Sequence, residues 1–278
     1  MKLSVSLGLL GHIKAAIQTA FVPTLVAVLK NPVLLFRPHE VSRIFMAYVW
    51  KLYGDGIDEN ARASKKELLP ANCHGIVLDI GAGTLPSFTW LSNAALISPA
   101  GHGHTALYLD PVKVTKYVAL EPNALMHPEI RTTAAKRGFT EDAGNLLILP
   151  YGAEQTSLIV SALGGPHAVD TLVSILSLCS IPDPEQALKG LVEEVLKPGG
   201  TLLFYEHALS PREDIAWWQR FWAPVWVYMM DGCRMDRPTH IWIEKMDAWA
   251  EGRVWGEDNE PEEHLFWHRV GQFVKKND

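Results

Sequence analysis

The apolar run Ile76-Val77-Leu78-Asp79-Ile80 leads straight into Gly81-Ala82-Gly83-Thr84-Leu85-Pro86. Glycines placed directly after an extended apolar stretch let the backbone turn with positive φ and bring a ligand close to the main chain. Dinucleotide sites use the same turn, with a third glycine three residues after the second. Pro86 stands in that place here, and proline suits the first position of a helix. Asp79 adds a carboxylate at the strand end, where it would repel a pyrophosphate. The two features favour a cationic, phosphate-free ligand of the S-adenosylmethionine type over a dinucleotide.

Three further segments have the composition of a nucleoside site. Tyr117-Val118-Ala119-Leu120 ends in Glu121-Pro122-Asn123, and an acidic residue at the tip of the second strand accepts both ribose hydroxyls in nucleotide-binding folds. Its distance from Gly83 exceeds the usual separation of about 20 residues, and an insertion at 92–116, read as a surface loop, accounts for the excess. Pro150-Tyr151-Gly152-Ala153-Glu154 offers a backbone N–H and a carboxylate to an adenine edge. A fourth strand closes with Ser174 and Ile175 before Leu176-Ser177-Leu178-Cys179-Ser180. The expected cofactor-binding set is therefore Asp79, Gly81, Ala82, Gly83, Glu121, Pro122, Gly152, Ala153, Glu154, Ser174 and Ile175.

Acid–base groups at the same end of the chain's strands are few. Glu206, His207 and Asp231 are the bases placed to face an acceptor, with His207 and Asp231 the candidate catalytic residues. A thiol acceptor, with a pKa near about 8.5, is already partly ionised at neutral pH; a phenol or alcohol would need a positioned base. No metal site is expected. Gly101-His102-Gly103-His104 lacks a carboxylate or cysteine partner, and His264 and His268, beside Glu262 and Glu263, lead into a predicted edge strand rather than a helix.

The elements that must position these residues follow from periodicity. Strands are predicted at 76–80, 117–121, 146–149, 170–175 and 201–206, alternating with helical stretches, the pattern of βαβ units around a parallel sheet. A helix at 184–196 is expected to stop at Lys197-Pro198-Gly199-Gly200. Residues 40–69 read as two helices, broken at Gly54-Asp55-Gly56. Residues 1–38 form an apolar N-terminal segment ahead of an enzyme-like domain at 39–278. With one formal charge between 3 and 29 but repeated interruption by glycine, histidine and Pro23, the segment suits a monotopic anchor lying in a membrane interface better than a span; the alternative is a lid over the site. Five of ten tryptophans fall between 217 and 242, the composition of a large apolar pocket, a membrane-interface surface or an aromatic core.

Bulk composition narrows the partners. A net charge of −6 and the lack of a basic cluster exclude nucleic acid, leaving a small-molecule substrate and a membrane surface. Three cysteines, odd in number, point to reduced thiols in a cytoplasmic setting or on the cytoplasmic side of an intracellular membrane.

Taken in order, the motifs resemble those of class I S-adenosylmethionine-dependent methyltransferases. Leu178-Cys179-Ser180, Val195-Leu196-Lys197-Pro198-Gly199-Gly200, Glu206-His207, Trp218-Gln219, Pro224, Trp226 and Asp231-Gly232-Cys233 are similar to the membrane-associated thiol methyltransferases of the methyltransferase-like-seven group, over roughly residues 40–275. The resemblance implies an α/β, Rossmann-like fold: a seven-stranded, mostly parallel sheet with an antiparallel last strand near 268–275, plus N-terminal helices. It also implies S-adenosylmethionine as cofactor, a membrane anchor, and a small lipophilic thiol as acceptor. The glycine loop departs from that group's Gly-Cys-Gly-Thr-Gly pattern, and the 92–116 insertion is extra.

Overall fold

The computed structural model describes residues 3–81, 105–257 and 260–277. Its helices are α1 (Leu3–Lys30), α2 (Pro38–Asn72), α3 (Thr105–Tyr108), α4 (His127–Ala135), α5 (Thr156–Ala162), α6 (Pro184–Gly190), α7 (Glu213–Met229) and α8 (Thr239–Glu244). Its strands are β1 (Gly75–Ile80), β2 (Val114–Leu120), β3 (Leu146–Leu149), β4 (Val169–Ile175), β5 (Leu196–His207), β6 (Trp249–Trp255) and β7 (His268–Lys275).

The strands form one sheet in the order β3-β2-β1-β4-β5-β7-β6. β1 to β5 pair in parallel, and β7 runs antiparallel to both β5 and β6. The inner strands are near-continuous apolar runs because both of their faces are covered. Val77, Tyr117 and Ala119 pack on one side with Leu68 and Leu69 of α2 and Ile130 of α4. Leu78, Val118 and Leu120 pack on the other with Ile159 of α5 and Leu188 of α6. A third cluster joins Leu9, Ala16 and Ala20 of α1 to Met46 and Val49 of α2 and Trp226 of α7.

Several local expectations are corrected. Residues 38–72 are one helix running through Gly54 and Gly56; a glycine inside a helix costs about 1 kcal/mol, which the packing along the rest of α2 outweighs. The helix expected at 184–196 is α6 followed by a π-helical turn at Leu191–Val195, and β5 already starts at Leu196. Lys197-Pro198-Gly199-Gly200 is a bulge: Val169 pairs with Leu196 and Thr171 with Thr201, so the intervening residues loop out of register. Part of the insertion is core rather than surface loop, since Thr105 and Ala106 are buried and Val114–Lys116 belong to β2; residues 92–104, with His102 and His104, lie outside the described residues. The N-terminal segment is a single helix of 28 residues that accommodates Pro23, followed by a 3-10 turn at Pro32–Phe36. It is long and apolar enough to cross a membrane by length and composition.

Candidate cofactor and acceptor site

Ile80 lies beside Leu120 and Ser174, and Leu120 beside Leu149. Because these strands are parallel, the residues that follow them, Gly81, Glu121, Pro150–Gly152 and Leu176–Ser177, meet along one edge of the sheet. In open α/β sheets that carboxyl edge is where ligands bind.

Gly81 turns the chain with φ +68°, and a Cβ there would stand 2.6 Å from Ser177 Oγ. Both constraints demand glycine, so the β1 turn and the post-β4 loop are in close contact. Ala82 and Gly83 lie outside the described residues. Asp79 is buried, and its Oδ2 accepts a hydrogen bond of 2.8 Å from the Tyr117 hydroxyl. Burial pushes its pKa up to about 7 against the pull of that hydrogen bond and of Lys65. Glu121 is buried at the tip of β2, where its Oε1 accepts from the Asn123 N–H at 2.7 Å and its backbone carbonyl lies 2.9 Å from His127 Nε2. Pro122 beside it is exposed. After β3, Ala153 is buried, but the Gly152 N–H donates to Gln155 Oε1 at 2.8 Å and the exposed Glu154 folds back over Gly152. Gln155 carries a role here that its place in the sequence does not signal.

The buried carboxylate of Glu206 organises the post-β4 loop. Its Oε1 accepts from Ser174 Oγ at 2.7 Å, the Ser177 N–H at 2.8 Å and the Leu178 N–H at 3.1 Å. Ser174 is thus turned toward Glu206, and Ile175 is packed in the core. Glu206 therefore holds the loop through Oε1. Leu176, next in the chain, has φ +52°, a conformation a branched side chain adopts only where the surroundings impose it. Arg237 Nη1 donates to the carbonyls of Leu178, Cys179 and Ile181 at 2.9, 2.8 and 2.7 Å, gripping the loop from outside.

His207 and Asp231 are not bonded to each other. His207 Nδ1 lies 3.8 Å from Cys233 Sγ, and its ring rests against Phe266 and His268 at 5.6 and 4.9 Å. Asp231, with φ +44°, pairs with Arg43 of α2 at 3.6 Å, half-exposed. Burial depresses the pKa of His268 to about 4, opposed by Glu260, whose Oε1 lies 2.8 Å from His268 Nδ1. Cys179 and Cys233, distant in sequence, have their sulfurs 3.5 Å apart as free buried thiols; no spacing signal announces that approach.

No protein-family model matches the chain. It is similar to thiol S-methyltransferase TMT1B of Rattus norvegicus, 39% identical over 99 residues, which make up 35% of this chain and 38% of that protein. The Homo sapiens TMT1B is 40% identical over 73 residues, 26% of this chain and 30% of that protein. The matched stretches thus span less than two fifths of these relatives. Among solved structures, a Haloferax volcanii protein in complex with the Trm112 methyltransferase activator superposes with TM-score 0.52 at 16% identity, over 82% of this chain and 95% of that one. A SAM-dependent methyltransferase of Thermotoga maritima is 20% identical with TM-score 0.49, over 82% of this chain and 93% of that one. The fold is that of a class I methyltransferase. A turn closed to any Cβ and a buried acid at the β2 tip fit a nucleoside ligand.

Proposed function

We propose that the protein transfers a methyl group from S-adenosylmethionine to a small lipophilic acceptor, a thiol before a hydroxyl or amine. The observation that carries this reading is the likeness to two thiol S-methyltransferases at 39% and 40% identity, set on a class I methyltransferase fold. When bound, S-adenosylmethionine supplies an electrophilic methyl on a sulfonium. The protein's share is orientation: Gly81 lets the main chain approach the ligand, Glu121 accepts from the ribose hydroxyls, and the loop from Leu176 to Ser180, pinned by Glu206 and Arg237, forms a stiff wall. Holding reactants in line is worth about 7–11 kcal/mol of barrier, and an already nucleophilic thiol asks for little more. Of the two catalytic candidates, His207 is the one directed toward the sulfur-rich side of this wall; Asp231 is engaged by Arg43.

The N-terminal segment, residues 1–38, is proposed to rest α1 on a membrane surface, with residues 39–278 forming the transferase domain. Supporting this, Leu10, Ile17, Phe21, Leu25 and Leu29 form an exposed apolar stripe on α1, continued by Phe36 at 87% exposure. Trp217, Phe221 and Tyr228 expose similar surface on α7. An interfacial helix buries such a stripe among lipid headgroups.

The test is a mass-spectrometric screen of purified protein with S-adenosylmethionine and a panel of alkyl thiols, phenols and amines. A gain of one methyl on lipophilic thiols is the expected result. Methylation of phenols or amines without any thiol would retain methyl transfer and discard the thiol reading.

A further inference from the structure

Cys179, His207 and Cys233 come from three separate elements, the turn after β4, the end of β5 and the loop after α7. Their donor atoms lie within 4.8 Å of one another. Cys233 Sγ stands 3.5 Å from Cys179 Sγ and 3.8 Å from His207 Nδ1. A tetrahedral ion bonded at about 2.3 Å to sulfur and about 2.1 Å to nitrogen holds its ligands about 3.6–3.8 Å apart. We propose that these three side chains are a binding site for a thiophilic divalent cation of the Zn2+ type, distinct from the S-adenosylmethionine site at the β1 and β2 ends.

The donor set selects the ion. Two thiolates and an imidazole suit Zn2+ and exclude Mg2+ or Ca2+, which take oxygen ligands. Entry of the ion breaks two S–H bonds, forms two metal–sulfur bonds and one metal–nitrogen bond, and releases two protons to solvent. The product is a neutral unit, two positive charges against two thiolates, so the half-buried site gains no uncompensated charge.

The ligands are also held in advance. The Arg237 guanidinium fixes the carbonyl of Cys179, and the Arg234 N–H donates to the same carbonyl at 3.0 Å, tying the two cysteine loops together. Asp231 and Gly232 both have positive φ, and a Cβ on Gly232 would come within 3.2 Å of the Ser180 carbonyl; the loop that delivers Cys233 is thus pressed onto the one that delivers Cys179. The carbonyl of His207 accepts from Thr239 Oγ1 at 3.0 Å. Such closely constrained, positive-φ backbone at two adjoining loops is where strain serves a site. Three protein donors leave a fourth tetrahedral position to water or another small ligand, the pattern of open rather than closed zinc sites.

The second cluster of metal-type donors among the described residues behaves differently. In Glu260, His264 and His268 the carboxylate oxygen and His268 Nδ1 are already 2.8 Å apart, a direct hydrogen bond, whereas an ion between them would separate the pair to about 3.3 Å. That cluster is closed on itself.

The experiment is a titration of reduced, chelator-stripped, full-length protein with Co2+ and then Zn2+, read by thiolate-to-cobalt charge-transfer absorption and by competition with a chelating dye. One equivalent of Co2+ with tetrahedral, sulfur-ligated absorption, displaced by Zn2+, is expected, and the bound ion should raise Tm. Cys179→Ser, Cys233→Ser and His207→Gln should each weaken binding by about tenfold or more, while Cys73→Ser should leave it intact. Failure of the wild-type protein to bind a stoichiometric ion overturns the proposal without any variant. So does binding that survives Cys233→Ser, or the finding that the two thiols form a disulfide as isolated and bind no metal once reduced. None of these readouts depends on methyl transfer, so the site and the transferase reading stand or fall separately.

Discussion

At the scale of single residues, Asp79 and Glu121 invite opposite experiments. Asp79 is buried with a pKa raised to about 7, well above about 3.9 for an unfolded carboxyl. The folded state therefore holds the proton more tightly, and the stability this contributes is complete below pH 4 and lost as pH rises through 7. Asp79→Asn removes that titration while keeping an acceptor for the Tyr117 hydroxyl. The variant should match the wild type in Tm at pH 4 and below, gain on it as pH rises toward about 7, and hold that gain above it. Parallel Tm curves would show that Asp79 ionises normally. Glu121→Ala should lower S-adenosylmethionine affinity at least about tenfold with the fold intact, since a hydrogen bond to a charged group contributes about 1.5–3 kcal/mol. Calorimetry giving wild-type affinity would remove Glu121 from the site.

At the scale of elements, the β1 turn and α1 carry the sharpest expectations. Gly81→Ala combines a left-handed backbone, worth about 1–2 kcal/mol against a side chain, with a collision against Ser177. It should lower stability by at least about 2 kcal/mol in denaturant titration and abolish cofactor binding, whereas an alanine at exposed Gly144, with open space around it, should cost only the backbone part. α1 has two faces. Leu9, Ala16 and Ala20 are buried, while Phe21 and Leu29 are 55% and 70% exposed. Phe21→Glu with Leu29→Glu should move the protein from the membrane pellet to the supernatant without changing Tm. Retention in the pellet would show that the outer face of α1 is not what meets the membrane.

For the whole molecule, α1 is a structural partner as well as a surface. It shares a core with α2 and α7 through Leu9, Met46, Val49 and Trp226, so a chain lacking residues 1–37 would uncover the inner face of α7. Burying a leucine-sized side chain is worth about 1.5–3 kcal/mol, and the truncated chain should unfold at clearly lower temperature and bind a hydrophobic dye. A truncation as stable as the parent would make residues 1–37 an appendage.

The sequence by itself determined where the inner strands lie along the chain and that they are buried. Apolar runs at 76–80, 146–149 and 170–175 carry their own period and composition, and the glycine after β1 marks the turn at the carboxyl edge of the sheet because only glycine satisfies that local backbone. It also carried the antiparallel last strand, through likeness to a known pattern. What depends on contacts between distant segments was decided only by the tertiary structure. Glycines 54 and 56 look like a break, yet α2 runs through them, with Met46, Val49, Ala61, Leu68 and Leu69 of the same helix buried. That Glu206 Oε1 accepts three hydrogen bonds from the post-β4 loop is visible only in the folded chain. Cys179 and Cys233 are ordinary buried thiols in isolation. They become a pair because β4, β5 and α7 converge at one corner of the sheet, and no local propensity encodes that convergence.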